Sequence, residues 1–209
     1  MIHHNKTIMQ YKNIIFDFGG VLVDWNPRHL YKDHFTNPED MEYFLKNICT
    51  EAWNIEQDRG RPLAQATTEL QRRFPEHSES IALFYGKWEV MLKGEIPETV
   101  ALLYRLKEKN YPLYGLTNWS AETIDIAYRR FPFFAVFDGI VVSGTEKLIK
   151  PDKRIYELLL DRYQLKAEES IFIDDNIHNV EAARELGFYA IHFVGAAQVE
   201  AVLSGMVSF

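Results

Sequence analysis

The sequence predicts an α/β fold: a doubly wound parallel sheet interrupted by an inserted bundle of helices. Three observations predict it. Five short apolar runs recur along the chain with helix-period segments between them. Residues 26–95 carry helix periodicity and no convincing strand. The apolar runs end on, or are soon followed by, glycines and polar side chains, the chemistry of strand ends and turns.

Residues 1–12 read as a polar leading segment. The run "NIIF" at 13–16 reads as a buried strand that delivers Asp17 and then Gly19-Gly20. In the insertion, Met41, Phe44, Leu45 and Ile48 fall at i, i+3, i+4 and i+7. Leu63, Ala66, Leu70 and Phe74 repeat that spacing, and Ile81, Phe84, Tyr85, Trp88, Met91 and Leu92 do so again. The breakers "NPED", "DRGRP" and "PEHSES" separate these helices, with Pro38 and Pro62 suited to first turns. A helix through Val100, Leu103 and Leu106 ends near Asn110. Then come the run "PLYGLTN", a helix from about Ser120, "GIVVSG" at 139–144, and the helix "PDKRIYELLLDRY". "SIFIDDN" at 170–176, the helix "NVEAARELG" stopped at Gly187, and "FYAIHF" complete the alternation. Strands alternating with helices imply a parallel sheet covered on both faces. The expected division is a core of 1–25 with 96–209 and a helical cap of 26–95, entering beside strand one, where insertions act as lids.

The chain has 209 residues, 47% of them hydrophobic, enough for one large core. Its formal charge of −7 and pI of about 5.5 argue against a nucleic-acid partner. One cysteine, Cys49, excludes an internal disulfide and fits a reducing compartment. No apolar run of about 18 residues or signal sequence is visible, so no membrane partner and a cytoplasmic location are expected. The tripeptides at Asn5 and Asn118 match a glycosylation pattern that means little without a secretory signal. The sequence assigns no oligomeric state.

In a parallel sheet, ligands bind outside the carboxyl ends of the strands. Four runs bring polar groups to that edge: Asp17, Thr117 with Asn118, Lys150, and the pair Asp174-Asp175. Singly, each has an ordinary reading as a cap, turn or solvated residue. Together they gather three carboxylates, whose mutual repulsion makes ionisation costly unless a cation is present. Mg2+, which takes hard oxygen ligands, resolves the conflict with Asp17, one of Asp174 and Asp175, and the Gly19 carbonyl. Lys150 adds a second positive charge, so that a carboxylate can approach an anionic phosphate.

The order "FDFGGVLVD", "LTN", "KP", "FIDDN" resembles the haloacid dehalogenase-like (HAD) hydrolase superfamily over roughly residues 13–195. The "DxGxV" form with the following "NP" is similar to the C1-capped branch that includes bacterial α-D-glucose-1-phosphate phosphatases. The resemblance implies a Rossmann-like core and a Mg2+-dependent phosphatase of small phosphorylated metabolites, sugar phosphates foremost. It implies Asp17 as a nucleophile that forms an aspartyl-phosphate. Thr117 then hydrogen-bonds phosphate, helped by backbone N–H groups of Asn118 and the Phe18–Gly19 loop. Lys150 holds the phosphate and steadies Asp17. Asp175 binds Mg2+ directly, Asp174 through water or by orienting a ligand, with Asn179 behind them. One position departs from the pattern. Many members carry a second Asp two residues after the nucleophile, as general acid and base; here Gly19 stands there. A leaving group then needs help from solvent or the cap, and catalysis is slower by about 10²–10⁴-fold.

For the cap, Asp24 and Trp25 are candidates for the entrance, Arg59 for a substrate contact, Trp53 for a packed corner, and Trp88 for the core. Three rival readings stand beside this one. A haloacid dehalogenase would use the same Asp without metal, and the acidic pair argues against it. A non-enzymatic phosphoacceptor domain carries its acidic pair before the acceptor, not last. A zinc site drawn from the seven histidines finds no ligand spacing.

Overall fold

A computed structural model describes residues 11–206; the polar leader through Gln10, with His3, His4 and the Asn5 tripeptide, lies outside them. The chain opens with β1 (Asn13–Phe16) and β2 (Val23–Trp25). The insertion follows as α1 (Arg28–Tyr31), α2 (Pro38–Asn47), α3 (Glu51–Asp58), α4 (Leu63–Arg73), α5 (Ser78–Gly86) and α6 (Trp88–Met91). The chain returns through β3 (Leu92–Glu95), α7 (Pro97–Glu108), β4 (Leu113–Thr117), α8 (Ile124–Arg130), β5 (Gly139–Val142) and α9 (Ser143–Glu146). It ends with α10 (Lys153–Tyr163), β6 (Ser170–Asp174), α11 (Ile177–Glu185), β7 (Tyr189–His192) and α12 (Ala196–Leu203). Among the described residues no helix is long and apolar enough to cross a membrane.

The main sheet has the order β5-β4-β1-β6-β7 with every pair parallel. Alternation on the central strands feeds two cores, because successive side chains leave opposite faces. Ile14 and Phe16 of β1 pack with Ile171 and Ile173 of β6 against α7, α8 and α12. Ile15 and Phe172 point the other way, against Ile155, Tyr156 and Leu159 of α10 and Val180 and Ala183 of α11. All of these named side chains are fully buried. The chain builds outward from β1 to β4 and β5, then crosses back to β6 and β7, so β1 lies at the topological switch point.

The helical spacing in the insertion is borne out, but one strand lies inside it. β3, "LKGE", pairs antiparallel with β2, with Asp24 opposite Gly94 and a register shift at Asp24/Trp25. Neither "VDW" nor "LKGE" shows strand periodicity; the two short segments are strands because each supplies the other's backbone partners. Asn37 caps α2 with its side chain and Pro38 takes the first helical position, whereas Pro62 is the residue before α4. Trp53 packs on Phe84 and Tyr85 at 5.2 and 5.3 Å, within the insertion's own aromatic core.

Candidate active site

The β1–β6 ladder continues one residue beyond the strand: the Asp17 N–H donates to the Ile173 carbonyl at 2.9 Å. That bond sets Asp17 beside the end of β6, where Asp174 and Asp175 stand. Carboxylate oxygens of Asp17, Asp174 and Asp175 all lie within 4.8 Å of one another. At that separation each pair of like charges repels by on the order of 3 kcal/mol at an effective dielectric of about 20.

One ammonium answers them. Lys150 Nζ is buried and donates to Asp174 Oδ2 at 2.7 Å and to the Leu116 carbonyl at 2.8 Å, and it pairs with Asp17 Oδ1 at 3.0 Å. An ammonium has three hydrogens, and these three acceptors use them. Lys150 therefore steadies Asp17 and contributes charge; contact with a phosphate requires it to release one acceptor. Burial lowers the Lys150 ammonium, but Asp17 and Asp174 outweigh that and hold it above its ordinary value. Burial pushes the Asp17 carboxyl up to about 7; Asp174 and Asp175 push the same way, against Lys150. Asp175 is raised too, by desolvation first and by Asp174 next.

The two acidic neighbours have different work. Asp174 is fully buried and saturated: besides Lys150 it accepts from the Asn176 N–H at 2.8 Å and from Asn179 Nδ2 at 3.1 Å on both oxygens. Asp175 is open to solvent. Its carboxylate sits over Gly20, whose φ is +72°; a Cβ there would meet Asp175 Oδ2 at 2.2 Å. Glycine at 20 is thus required twice, by the left-handed backbone and by the carboxylate above it. The donor set is all oxygen, which suits a hard cation such as Mg2+.

Thr117 ends β4 with its hydroxyl buried and without a hydrogen-bond partner. An unpaired buried hydroxyl is costly, and this one stands where an anion oxygen would satisfy it. The Asn118 side chain fixes the neighbouring loop: it donates to the Lys150 carbonyl at 3.0 Å and accepts the Lys150 N–H at 2.9 Å. The Phe18 ring is buried against Phe134 and Phe137, which leaves only its backbone for a ligand.

Over this edge lies a cavity of about 110 Å³ floored by Gly19 and Asn118. Its walls include Trp25 from β2, Trp88 from the insertion, and Trp119, the last two 5.6 Å apart. Asn54 and Asp58 of α3 close it from the insertion side. Trp25 is where the sequence puts it; Trp88 is both core and cavity wall. Asp24 pairs with His29 at 2.9 Å, and Arg59 is exposed and faces Glu56 at 3.6 Å. Sequence reasoning missed Asn54, Asp58 and Trp119. The first two are four residues apart, on one helix face, beside the corner marked by Trp53 and "DRGRP".

A family profile described as haloacid dehalogenase-like hydrolase matches residues 11–187. The chain is 31% identical over 187 residues to the sesquiterpene phosphatase astK of Aspergillus oryzae, covering 87% of this chain and 89% of that one. It is 26% identical to a phosphorylated carbohydrates phosphatase of Thermotoga maritima, covering 87% and 84%. An (S)-2-haloacid dehalogenase of Pseudomonas putida is 29% identical over 44% of this chain and 41% of its own length. Among solved structures, a magnesium complex of a HAD family enzyme from Bacteroides thetaiotaomicron shares the fold, with a TM-score of 0.67, 23% identity, and 87% and 92% coverage.

Proposed function

The chain belongs to the haloacid dehalogenase-like hydrolase family, and from that premise we propose that it is a Mg2+-dependent phosphatase of small phosphomonoesters, acting through an aspartyl-phosphate on Asp17. The observation that carries this reading is the charge at the strand ends. Three carboxylates within 4.8 Å face one ammonium, so that when all are ionised two negative charges are left uncompensated. A reaction at carbon–halogen needs no such surplus; a divalent cation that guides a phosphate does.

Asp17, Asp175 and the Gly19 carbonyl are the direct ligands in this reading, with Asp174 orienting Lys150 and Asn179. Bound there, Mg2+ supplies the positive charge that lets one anion approach another. Asp17 attacks phosphorus, and Thr117 Oγ1 donates to a phosphate oxygen. Water then hydrolyses the acyl-phosphate. The insertion serves as the cap that closes over Gly19 and excludes water with its tryptophan wall.

Sugar phosphates remain the first substrate class, since the apolar faces of Trp25, Trp88 and Trp119 suit the C–H face of a sugar. A sesquiterpene phosphate is the second reading. It is favoured by a wider cleft of about 720 Å³ that shares Trp25 and Asn54 with the cavity and runs past Leu45 and Phe84. The test is turnover of a panel of both classes, with and without Mg2+, by wild type and Asp17→Asn. We expect Asp17→Asn to stay folded and lose turnover. Unchanged hydrolysis by that variant rules out Asp17 as nucleophile, and chloroacid turnover that survives chelation points to a dehalogenase.

A further inference from the structure

We propose that Asp58, delivered by α3 of the insertion, is the general acid and general base of the reaction, serving in the cavity where Gly19 offers no side chain. The inference rests on the phosphatase reading above. An alkyl phosphate cannot readily expel an alkoxide; the departing oxygen needs a proton. The acyl-phosphate then needs a base to take a proton from water. Asp17 is occupied as nucleophile, Asp174 is saturated by protein donors, and Asp175 belongs to the cation. Among the residues that line the cavity, Asp58 is the one ionisable side chain.

Its geometry is that of a held group. Asn54 Nδ2 donates to Asp58 Oδ2 at 3.2 Å, and the Ser120 backbone N–H donates to the same carboxylate. The main chain is anchored as well. Ser143 Oγ donates to the Asp58 carbonyl and accepts the Trp119 N–H at 2.9 Å. Two residues on, Gly60 has φ of +106° and packs against the Gly144 carbonyl, at 3.0 Å from where a Cβ would stand. The insertion corner is thereby pinned to the loop after β4 and to α9, on the cavity side of the sheet. Burial pushes the Asp58 carboxyl up to about 7, with Ser120 opposing and the Asp17 charge adding to the rise. A carboxyl so poised is divided about evenly between acid and base at neutral pH, so it can give a proton in one step and take one in the next.

The balance closes over two steps. In the first, the Asp17 oxygen bonds to phosphorus and the ester P–O bond breaks; its electron pair leaves on the ester oxygen, which takes the Asp58 proton. In the second, water oxygen bonds to phosphorus and the Asp17–phosphorus bond breaks. The water proton goes to Asp58, restoring the acid, and the products are an alcohol and inorganic phosphate.

The experiment compares p-nitrophenyl phosphate, whose phenolate departs without protonation, with hexyl phosphate, whose alkoxide does not. Both are followed by rapid quench on full-length protein with Mg2+. Wild type is expected to phosphorylate Asp17 with either ester. Asp58→Asn is expected to keep a p-nitrophenolate burst of about one per enzyme, followed by turnover slowed about 10²-fold. With hexyl phosphate the first step itself should fall by about 10²–10⁴-fold, with no hexanol burst. Equal slowing of the first step with both esters, or no slowing with either, overturns the assignment. If Asp58→Asn gives no burst at all, Asp58→Glu decides: a hexyl phosphate rate within about tenfold of wild type supports a carboxyl in this role, and complete loss overturns it. Absence of phosphorylation at Asp17 in wild type instead overturns the phosphatase reading, and the Asp58 role with it.

Discussion

Replacing Lys150 with Met removes the cation while keeping most of the stem's volume. Nζ is buried between Asp174 Oδ2 at 2.7 Å, Asp17 Oδ1 at 3.0 Å and the Leu116 carbonyl at 2.8 Å. Breaking a buried ion pair by removing one partner costs about 3–5 kcal/mol. The deficit depends on pH with a fixed sign. The Asp17 carboxyl titrates at about 7 in the folded protein, above its ordinary value of 3.8, and loss of the ammonium raises it further. A carboxyl that binds its proton more tightly when folded contributes stability at low pH. That stability is lost as pH rises from the unfolded value through the folded one. At about pH 8.5 the variant should show the full deficit, because Asp17 is charged and unpaired. At about pH 5.5 Asp17 is neutral in both proteins and only the Asp174 contact is missing, so the deficit should shrink by about half or more. Urea denaturation with chelator at the two pH values measures both, provided the slope is unchanged. A deficit below about 1 kcal/mol at high pH, or one equal at both pH values, refutes the electrostatic account of this cluster.

Three further outcomes follow from the same geometry. Gly20→Ala puts a methyl 2.2 Å from Asp175 Oδ2 on a left-handed backbone; the Mg2+ midpoint for activity should rise at least about tenfold while the protein stays folded, as read by a metal titration beside a melting curve. Mg2+ at about 100 times its dissociation constant should stabilise wild type by about 2.7 kcal/mol, and scanning calorimetry of Asp175→Asn should show most of that gain lost. A Cβ built at Gly19 meets nothing within 4 Å. Gly19→Asp placed in Asp58→Asn should therefore recover about tenfold or more of the hexyl phosphate rate, because it returns a carboxyl to the same cavity.

The core was legible because its signals are local. Apolar runs such as "IFIDD" are short, alternate between two buried faces and end on the residues that matter, so Asp17, Thr117, Lys150 and Asp174-Asp175 could be assigned to one edge before any coordinates. Their division of labour came only through the family resemblance, not through local signals. That Asp174 is saturated by Lys150, Asn176 and Asn179 while Asp175 is open is a matter of partners two to 24 residues away in sequence. Asp58 was hidden for a different reason. Its helix reads as an ordinary amphipathic segment, and only the tertiary contact of Ser143 and Ser120 with the corner turns its carboxylate into a cavity residue. Likewise β2 and β3 are strands only in each other's company.

That antiparallel pair has a kinematic consequence. The polypeptide leaves the sheet layer on β2 and comes back on β3, so outgoing and returning passages are stitched into one ribbon and not two independent tethers. A ribbon resists shear between its edges but tolerates twist along its length, and its irregular step falls at Asp24/Trp25. The six helices beyond it therefore have one soft coordinate, a swivel. Because Trp25 belongs to the ribbon and also to the wall above Gly19, any turn of that swivel is transmitted directly to the room available for a leaving group.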